Sequence, residues 1–220
     1  MNLKEDILPH LLAIMVFALA TIIFYNPVFF ENKRLDQHDV VQGTGGGKEL
    51  IDYREEIGKE GLWTNSMFSG MPAYLINTQW SGDLLLHVQR FLSLGLKAPA
   101  RYIFWALISF YILLLSFKVR PYLAIAGAIA FGFSSFIVIG ISAGHVWRIV
   151  GMAFMPLVIA GVHLSYNNRK WLGMGLTALG LGLQLRSNHL QMTYYLLIII
   201  LLYGLFFLIK AIREKTIIIG

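Results

Sequence analysis

The acidic residues of this chain are confined, and so is any chemistry that needs a carboxylate. Apart from Glu5, Asp6 and Glu214, every Asp and Glu lies between Glu31 and Asp83. Elsewhere the chain offers imidazole, guanidinium, amide and hydroxyl groups, concentrated in two polar runs. One is Ser142-Ala143-Gly144-His145-Val146-Trp147-Arg148, the other Arg186-Ser187-Asn188-His189-Leu190-Gln191. His145 and Arg148 stand three residues apart, a spacing that can place two side chains on one helical face. The acidic stretch has its own early cluster, Leu35-Asp36-Gln37-His38-Asp39. A carboxylate there could take the proton of an attacking hydroxyl held within hydrogen-bond reach.

The elements that must position these groups are of membrane type. The 220 residues are 57% hydrophobic and 14% charged, against about 45–50% apolar and about 25% charged usage in soluble domains. Mean hydropathy is +0.65. Helices apolar all round satisfy their own backbone, as lipid requires. The absence of cysteine excludes disulfides, thiolate catalysis and thiolate metal sites. A net charge of +6 would suggest nucleic acid in a soluble domain. Here the basic residues are dispersed over the ends of apolar segments, which points to membrane orientation and away from nucleic acid.

Six apolar segments can be drawn: Leu8 to Phe30, Tyr102 to Phe117, Tyr122 to Ile141, Val146 to Leu164, Trp171 to Leu185 and Met192 to Ile209. Most approach the roughly 20 residues needed to cross the hydrocarbon core, and the second and fifth are short. The first is too long for a signal-peptide core. Asn26, Pro27, Phe29 and Phe30 stand where small residues would mark cleavage, so it is expected to be retained. With the N-terminus inside, the inner connections carry Lys118 and Arg120, Arg169 and Lys170, and Lys210, Arg213 and Lys215. That is the positive-inside pattern. The expectation is an all-α polytopic protein with about six transmembrane helices. Residues 1–30 form the inner N-terminus and first helix, 31–101 a long outer loop, and 102–220 five further helices. This topology puts the acidic stretch and both polar runs on the same outer face.

Within the loop, Gln42-Gly43-Thr44-Gly45-Gly46-Gly47 reads as a flexible or tightly turned link. It lacks the Lys-Ser/Thr ending and preceding strand of a phosphate loop. Lys48 to Lys59 has Leu50, Ile51, Tyr53, Arg54 and Ile57 near helical spacing and is expected to be an amphipathic helix. Leu62 to Tyr74 is rich in aromatics and methionine and suits the membrane interface. Asn65-Ser66-Met67 is not a glycosylation acceptor. Asp83 to Leu96 sets Leu84, Leu85, Val88, Phe91, Leu92 and Leu96 against His87, Gln89 and Arg90, the pattern of a helix lying in the membrane plane.

These residues carry a resemblance. One helix, a long outer loop with an early acid and in-plane helices, then a bundle, resembles the start of the C-type glycosyltransferase fold. The chain is more similar still to YfhO-like bacterial membrane proteins. The matching text is Leu35 to Asp39, Leu62 to Tyr74 with Trp-Thr-Asn-Ser-Met-Phe and Gly-Met-Pro-Ala-Tyr, Ala143-Gly144-His145, and Asn188-His189-Leu190-Gln191 followed by Tyr194-Tyr195. Such proteins are longer, so the chain is expected to be an N-terminal portion, with another apolar run opening at Thr216 to Ile219. The resemblance implies sugar transfer on the outer face of a bacterial cytoplasmic membrane, from a polyprenyl-phosphate-linked donor to a cell-envelope glycan or glycopolymer. It maps the general base to Asp39, with Asp36 the nearby alternative, and allows a divalent cation in some relatives. His38, His145, Arg148, Arg186, Asn188, His189 and Gln191 are the candidate substrate-binding residues. Arginine suits a lipid-linked phosphate because its two-pronged donor matches the oxygens.

Each assignment has a plainer competitor. Asp39 could be a solvated loop acid, and His145 a cap between two helices. Asn188 and His189 stand at a helix start, where Asn is common for backbone reasons. Arg186 could anchor the interface by snorkelling. His10 and His163 lie in or near inner apolar segments and read as packing residues. A zinc-like set of His38 and Asp39 with His145 or His189, or a divalent ion on Asp36 and Asp39, lacks a dense ligand motif. A second class of function is a non-catalytic membrane component that binds lipid, flips it, or acts as a scaffold. An ion-coupled carrier is disfavoured because no acid lies within an apolar segment.

Overall fold

The computed structural model describes residues 7–78 and 82–214. Glu5, Asp6, Lys215 and the run Thr216 to Ile219 lie outside the described residues. Within them the chain is all-helical apart from one two-residue strand pair. In order it runs α1 (Leu8–Phe24), α2 (Asn26–Phe30), α3 (His38–Gly46), α4 (Lys48–Ile57), β1 (Trp63–Thr64), β2 (Met71–Pro72), a single 3₁₀ turn and α5 (Leu84–Leu92). The bundle continues with α6 (Ala100–Ser116), α7 (Pro121–Gly132), α8 (Ser135–Ala143), α9 (Val146–Tyr166), α10 (Lys170–Leu185) and α11 (Leu190–Arg213).

Two of the expected single helices are broken. The first parts at Tyr25 because Pro27 has no N–H for the carbonyl four residues back and its ring crowds that turn. That carbonyl, on Ile23, accepts instead from the Asn26 side chain at 3.1 Å. The third parts between α7 and α8, which meet at 41°. Ser134 there is extended, at φ −60° and ψ 147°. The run Gly132 to Ser135 contains weak helix formers that do not hold the backbone through the bend. By length and composition, α9 and α11 could each cross a membrane, and the α7–α8 pair could be a third span; α1 and α6 are shorter apolar helices.

α9 is the axis of the bundle. It packs against α6, α8, α10 and α11, and α6 in turn holds α1 and α7. Ile149, Val150, Ala153, Phe154 and Val158 of α9 are buried, as are Ile103, Phe104 and Leu107 of α6. The antiparallel α9 and α10 approach at backbone distance through glycine. A Cβ on Gly173 would lie 2.5 Å from the Ser165 nitrogen and 2.6 Å from the Gly161 oxygen. By contrast α11 leans on the bundle through Met192 and Leu196 and leaves Leu201, Leu202 and Phe206 exposed. His10 is bonded to Tyr111 at 2.8 Å and His163 to Tyr203 at 2.6 Å, both tying helices together.

The loop is folded over one end of the bundle. The glycine run expected as a flexible or turned link lies within α3, where Gly43 and Gly45 have open space around them. α4 stops at Gly58, whose φ of +70° ends the helix in the left-handed conformation. Its Glu49 carboxylate accepts from the Thr64 hydroxyl, from Asn65 N–H at 2.9 Å and from Ser66 N–H at 3.0 Å. The Thr64 hydroxyl, with these two N–H groups, holds the Glu49 carboxyl below its ordinary range. Arg54 donates to both Glu60 oxygens and to the Asn77 carbonyl, and Glu60 raises its basicity further. Asp83 caps α5 by accepting from Leu86 N–H at 3.1 Å. Leu85, Val88 and Leu92 of α5 pack on the core, while Leu84 and Phe91 stay exposed. Gln89, expected on the polar face, is buried.

Candidate functional site

The turn between α8 and α9 organises the site. Gly144 adopts φ +94°, its N–H reaches the Ile141 carbonyl at 3.1 Å, and His145 N–H reaches the Gly140 carbonyl at 2.9 Å. This double bond pattern closes a helix C-terminus and needs a residue tolerant of positive φ. It leaves His145 as the first residue before α9, at the loop end of the bundle. Gly144 is also the docking point for the acidic cluster. A Cβ there would lie 3.0 Å from Asp39 Cβ and 3.1 Å from the Val40 nitrogen. Gln37 fastens the same contact by donating its side-chain N–H to the Ile141 carbonyl.

This docking joins two candidates that are remote in sequence. Asp39 Oδ2 lies 2.7 Å from His145 Nδ1, with the two side chains 41% and 43% exposed. A carboxylate on Nδ1 selects the tautomer that carries its proton there and leaves the Nε2 lone pair available. His145 then borders a cleft of about 360 Å³ whose lining includes Gly144, Trp147, Arg148, His189 and Gln191. Arg148 Nε and His189 Nδ1 are buried without a hydrogen-bond partner. The Arg148 guanidinium lies over the Phe136 ring at 5.2 Å. Among the described residues no carboxylate forms an ion pair with Arg148. Buried polar nitrogens are normally satisfied, so two of them at one cleft favour a polar ligand, and the Arg148 Nε–H calls for an acceptor on it. Arg148 is the one permanent cation of the lining.

The other candidates stand elsewhere. Asp36 is exposed, and His38 Nε2 meets the Gln42 side chain at 2.8 Å on the surface. Asn188 donates to the Tyr74 carbonyl at 3.2 Å, pinning the loop to the start of α11. Arg186 is engaged by the loop, with Nε 2.7 Å from Asp83 Oδ2 and Nη1 bonded to the Gln89 side chain. Of the residues named from sequence, the cleft gathers His145, Arg148, His189 and Gln191, with Asp39 behind His145. Gln37 and Gly144 were not singled out as site residues, yet they build the junction. The signal for Gly144 was present in Ala-Gly-His after an apolar run, the pattern of a glycine-closed helix. Among the described residues no three of His, Asp and Glu are grouped to hold a metal ion. Asp39 and His145 supply two ligand types but are turned toward each other. No family model, no curated protein and no solved structure matches the chain.

Proposed function

We propose that the chain belongs to a multi-pass membrane glycosyltransferase of the YfhO-like kind, taking a sugar from a polyprenyl-phosphate donor at the loop-covered end of its bundle. The observation that carries this reading is the Asp39–His145 pair at the rim of a cleft lined by an arginine without an ion-pair partner. His145 Nε2 takes the proton of the acceptor hydroxyl as its oxygen bonds to the anomeric carbon. The bond from that carbon to phosphate oxygen breaks, and the lipid phosphate leaves with the electron pair. Asp39 stabilises the imidazolium formed, the role a carboxylate plays behind a catalytic histidine. Arg148 and His189 face the departing phosphate, where guanidinium charge offsets the charge that develops. Gln191, whose amide donates to Tyr195 at 2.7 Å, is placed to accept from a sugar hydroxyl.

The membrane arrangement belongs to the same proposal: six crossings, the N-terminus inside, and the loop outside a bacterial cytoplasmic membrane. Its support is the basic run of Lys118, Arg120, Arg169, Lys170, Lys210 and Arg213 at helix ends remote from the loop. Short α1, α6 and α10 would be completed by flanking residues or a locally thinned bilayer. A second reading has an observation of its own. The Asp39–His145 pair is about two-fifths exposed, and a solvated pair of this kind serves a non-catalytic anion-binding or flippase-like component equally well.

The test is transfer of radiolabelled sugar from a panel of polyprenyl-phosphate donors in membranes holding the protein. His145→Gln is expected to lower the rate about 10²- to 10⁴-fold, the usual worth of a general base. Asp39→Asn should lower it less if the imidazole is the base. Native activity in both variants would remove the pair from catalysis. Binding of the lipid phosphate without transfer by the native protein would favour the second reading.

A further inference from the structure

Away from the cleft, an apolar groove of about 100 Å³ runs along α6, bordered by α5, α9 and α10. Its α6 wall is Trp105, Ile108, Ser109 and Ile112, a spacing that forms one stripe on a helix. Trp105 is 4% exposed and its Nε1–H is buried without a partner. One turn nearer the loop end stands Arg101, with its guanidinium carbon 5.9 Å from the Trp105 ring centre and 5.2 Å from that of Tyr102. Arg101 Nε is likewise buried and unpartnered, and among the described residues Arg101 forms no ion pair.

Along α6 the order is therefore a cation one turn beyond the groove lining, then an unsatisfied N–H about 6 Å further along the helix, then an apolar channel. From this order we infer that the groove binds one anionic diacyl glycerophospholipid. Its phosphate lies at Arg101, an ester carbonyl accepts from Trp105 Nε1–H, and the first carbons of an acyl chain lie along Ile108 and Ile112. Charge complementarity sets the headgroup end, since a guanidinium without a carboxylate favours phosphate. The second donor selects among amphiphiles. A buried N–H is costly unless an acceptor is supplied, and the ester of a glycerolipid sits a few atoms below its phosphate. A polyprenyl phosphate has only hydrocarbon at that level. In-plane α5 places Leu92 on the groove wall, so the loop itself forms part of the lipid site. This inference rests on membrane embedding, and it is independent of sugar transfer.

Native mass spectrometry of the purified full chain, titrated with lipid in detergent, tests it. The probes are diacyl phosphatidylglycerol, its diether analogue, diacyl phosphatidylcholine and a polyprenyl phosphate. The native protein is expected to bind one diacyl phosphatidylglycerol about fivefold more tightly than the diether, the worth of one net hydrogen bond. Trp105→Phe should abolish that ester preference and keep the preference for the anionic headgroup. Arg101→Gln should do the reverse. Equal binding of diester and diether lipid by the native protein overturns the assignment, and so does an ester preference that survives Trp105→Phe. Tighter binding of polyprenyl phosphate than of either glycerolipid also overturns it. Recovery of the chain in carbonate-washed membranes is measured alongside, so that failure of membrane embedding is separable from failure of the lipid assignment.

Discussion

Arg186 offers the sharpest test of how the loop is held. Its guanidinium bridges the end of α10 to the α5 cap Asp83 and to Gln89 of α5, and the Arg186 and Asp83 side chains are 18% and 23% exposed. Gln89 is 5% exposed and its Nε2 has no partner. In Arg186→Met the Gln89 oxygen loses its donor while still buried, a loss of about 1–3 kcal/mol. Asp83 keeps its Leu86 N–H and can turn to water, so the ion pair itself adds about 1 kcal/mol or less after discounting for exposure. A net loss of about 1–4 kcal/mol corresponds to a 5- to 900-fold rise in the opening of α5. The chain has no cysteine, so Val88→Cys gives a single thiol on the packed side of α5. Its rate of maleimide labelling reads that opening directly. The rate should rise by that factor in Arg186→Met and by less in Arg186→Lys, which keeps the charge but loses the fork. Leu84→Cys, at a position 77% exposed, should label equally in all backgrounds. A Val88→Cys rate within twofold of the parent would refute the clamp and return Arg186 to a substrate-binding role.

Acid should loosen the loop through Glu49. Its carboxyl is held below the ordinary 4.5, first by the Thr64 hydroxyl and then by two backbone N–H groups. A lowered folded-state value means the contribution is complete above the unfolded value and is lost as pH falls through the folded one. Hydrogen-exchange protection at Asn65 and Ser66, taken relative to the intrinsic rate at each pH, should fall over that window, and Glu49→Gln should remove that change in protection. At the α9–α10 contact, Gly173→Ala should destabilise the bundle by about 1–3 kcal/mol, because the new methyl meets not only the Ser165 hydroxyl, which can turn away, but also the Ser165 nitrogen and Gly161 carbonyl, which cannot. Gly175→Ala, on the same helix with nothing within 4 Å, should be neutral or stabilising by up to about 1 kcal/mol; equal melting temperatures for the two variants would count against the backbone contact.

Helical class was legible because hydropathy is local: each apolar run carries its own signal, and α1, α2 and α6 to α11 fall on the six runs. α5 was legible as an amphipathic helix from its periodicity, as was the short helix from Lys48. Breaks were harder to read. Pro27 marks one plainly, whereas the α7–α8 bend depends on how closely Gly132 packs on Leu107 of α6. The glycine run was misjudged as a link because its propensity opposes a helix and only flanking structure reverses that balance.

The candidate site divides along the same line. Residue types and spacing alone named His145, Arg148, His189, Gln191 and Asp39, since few other polar groups share that end of the bundle. Which of them meet was a matter of tertiary structure. Gly144 has to adopt a left-handed turn before the loop can approach closely enough for Asp39 to reach His145. Arg186, identical in type to Arg148, is taken by Asp83 from more than a hundred residues away. Sequence fixes the chemistry a side chain can do; the partner that reaches it first is decided by how helices distant in the chain pack, a long-range property that no local pattern carries.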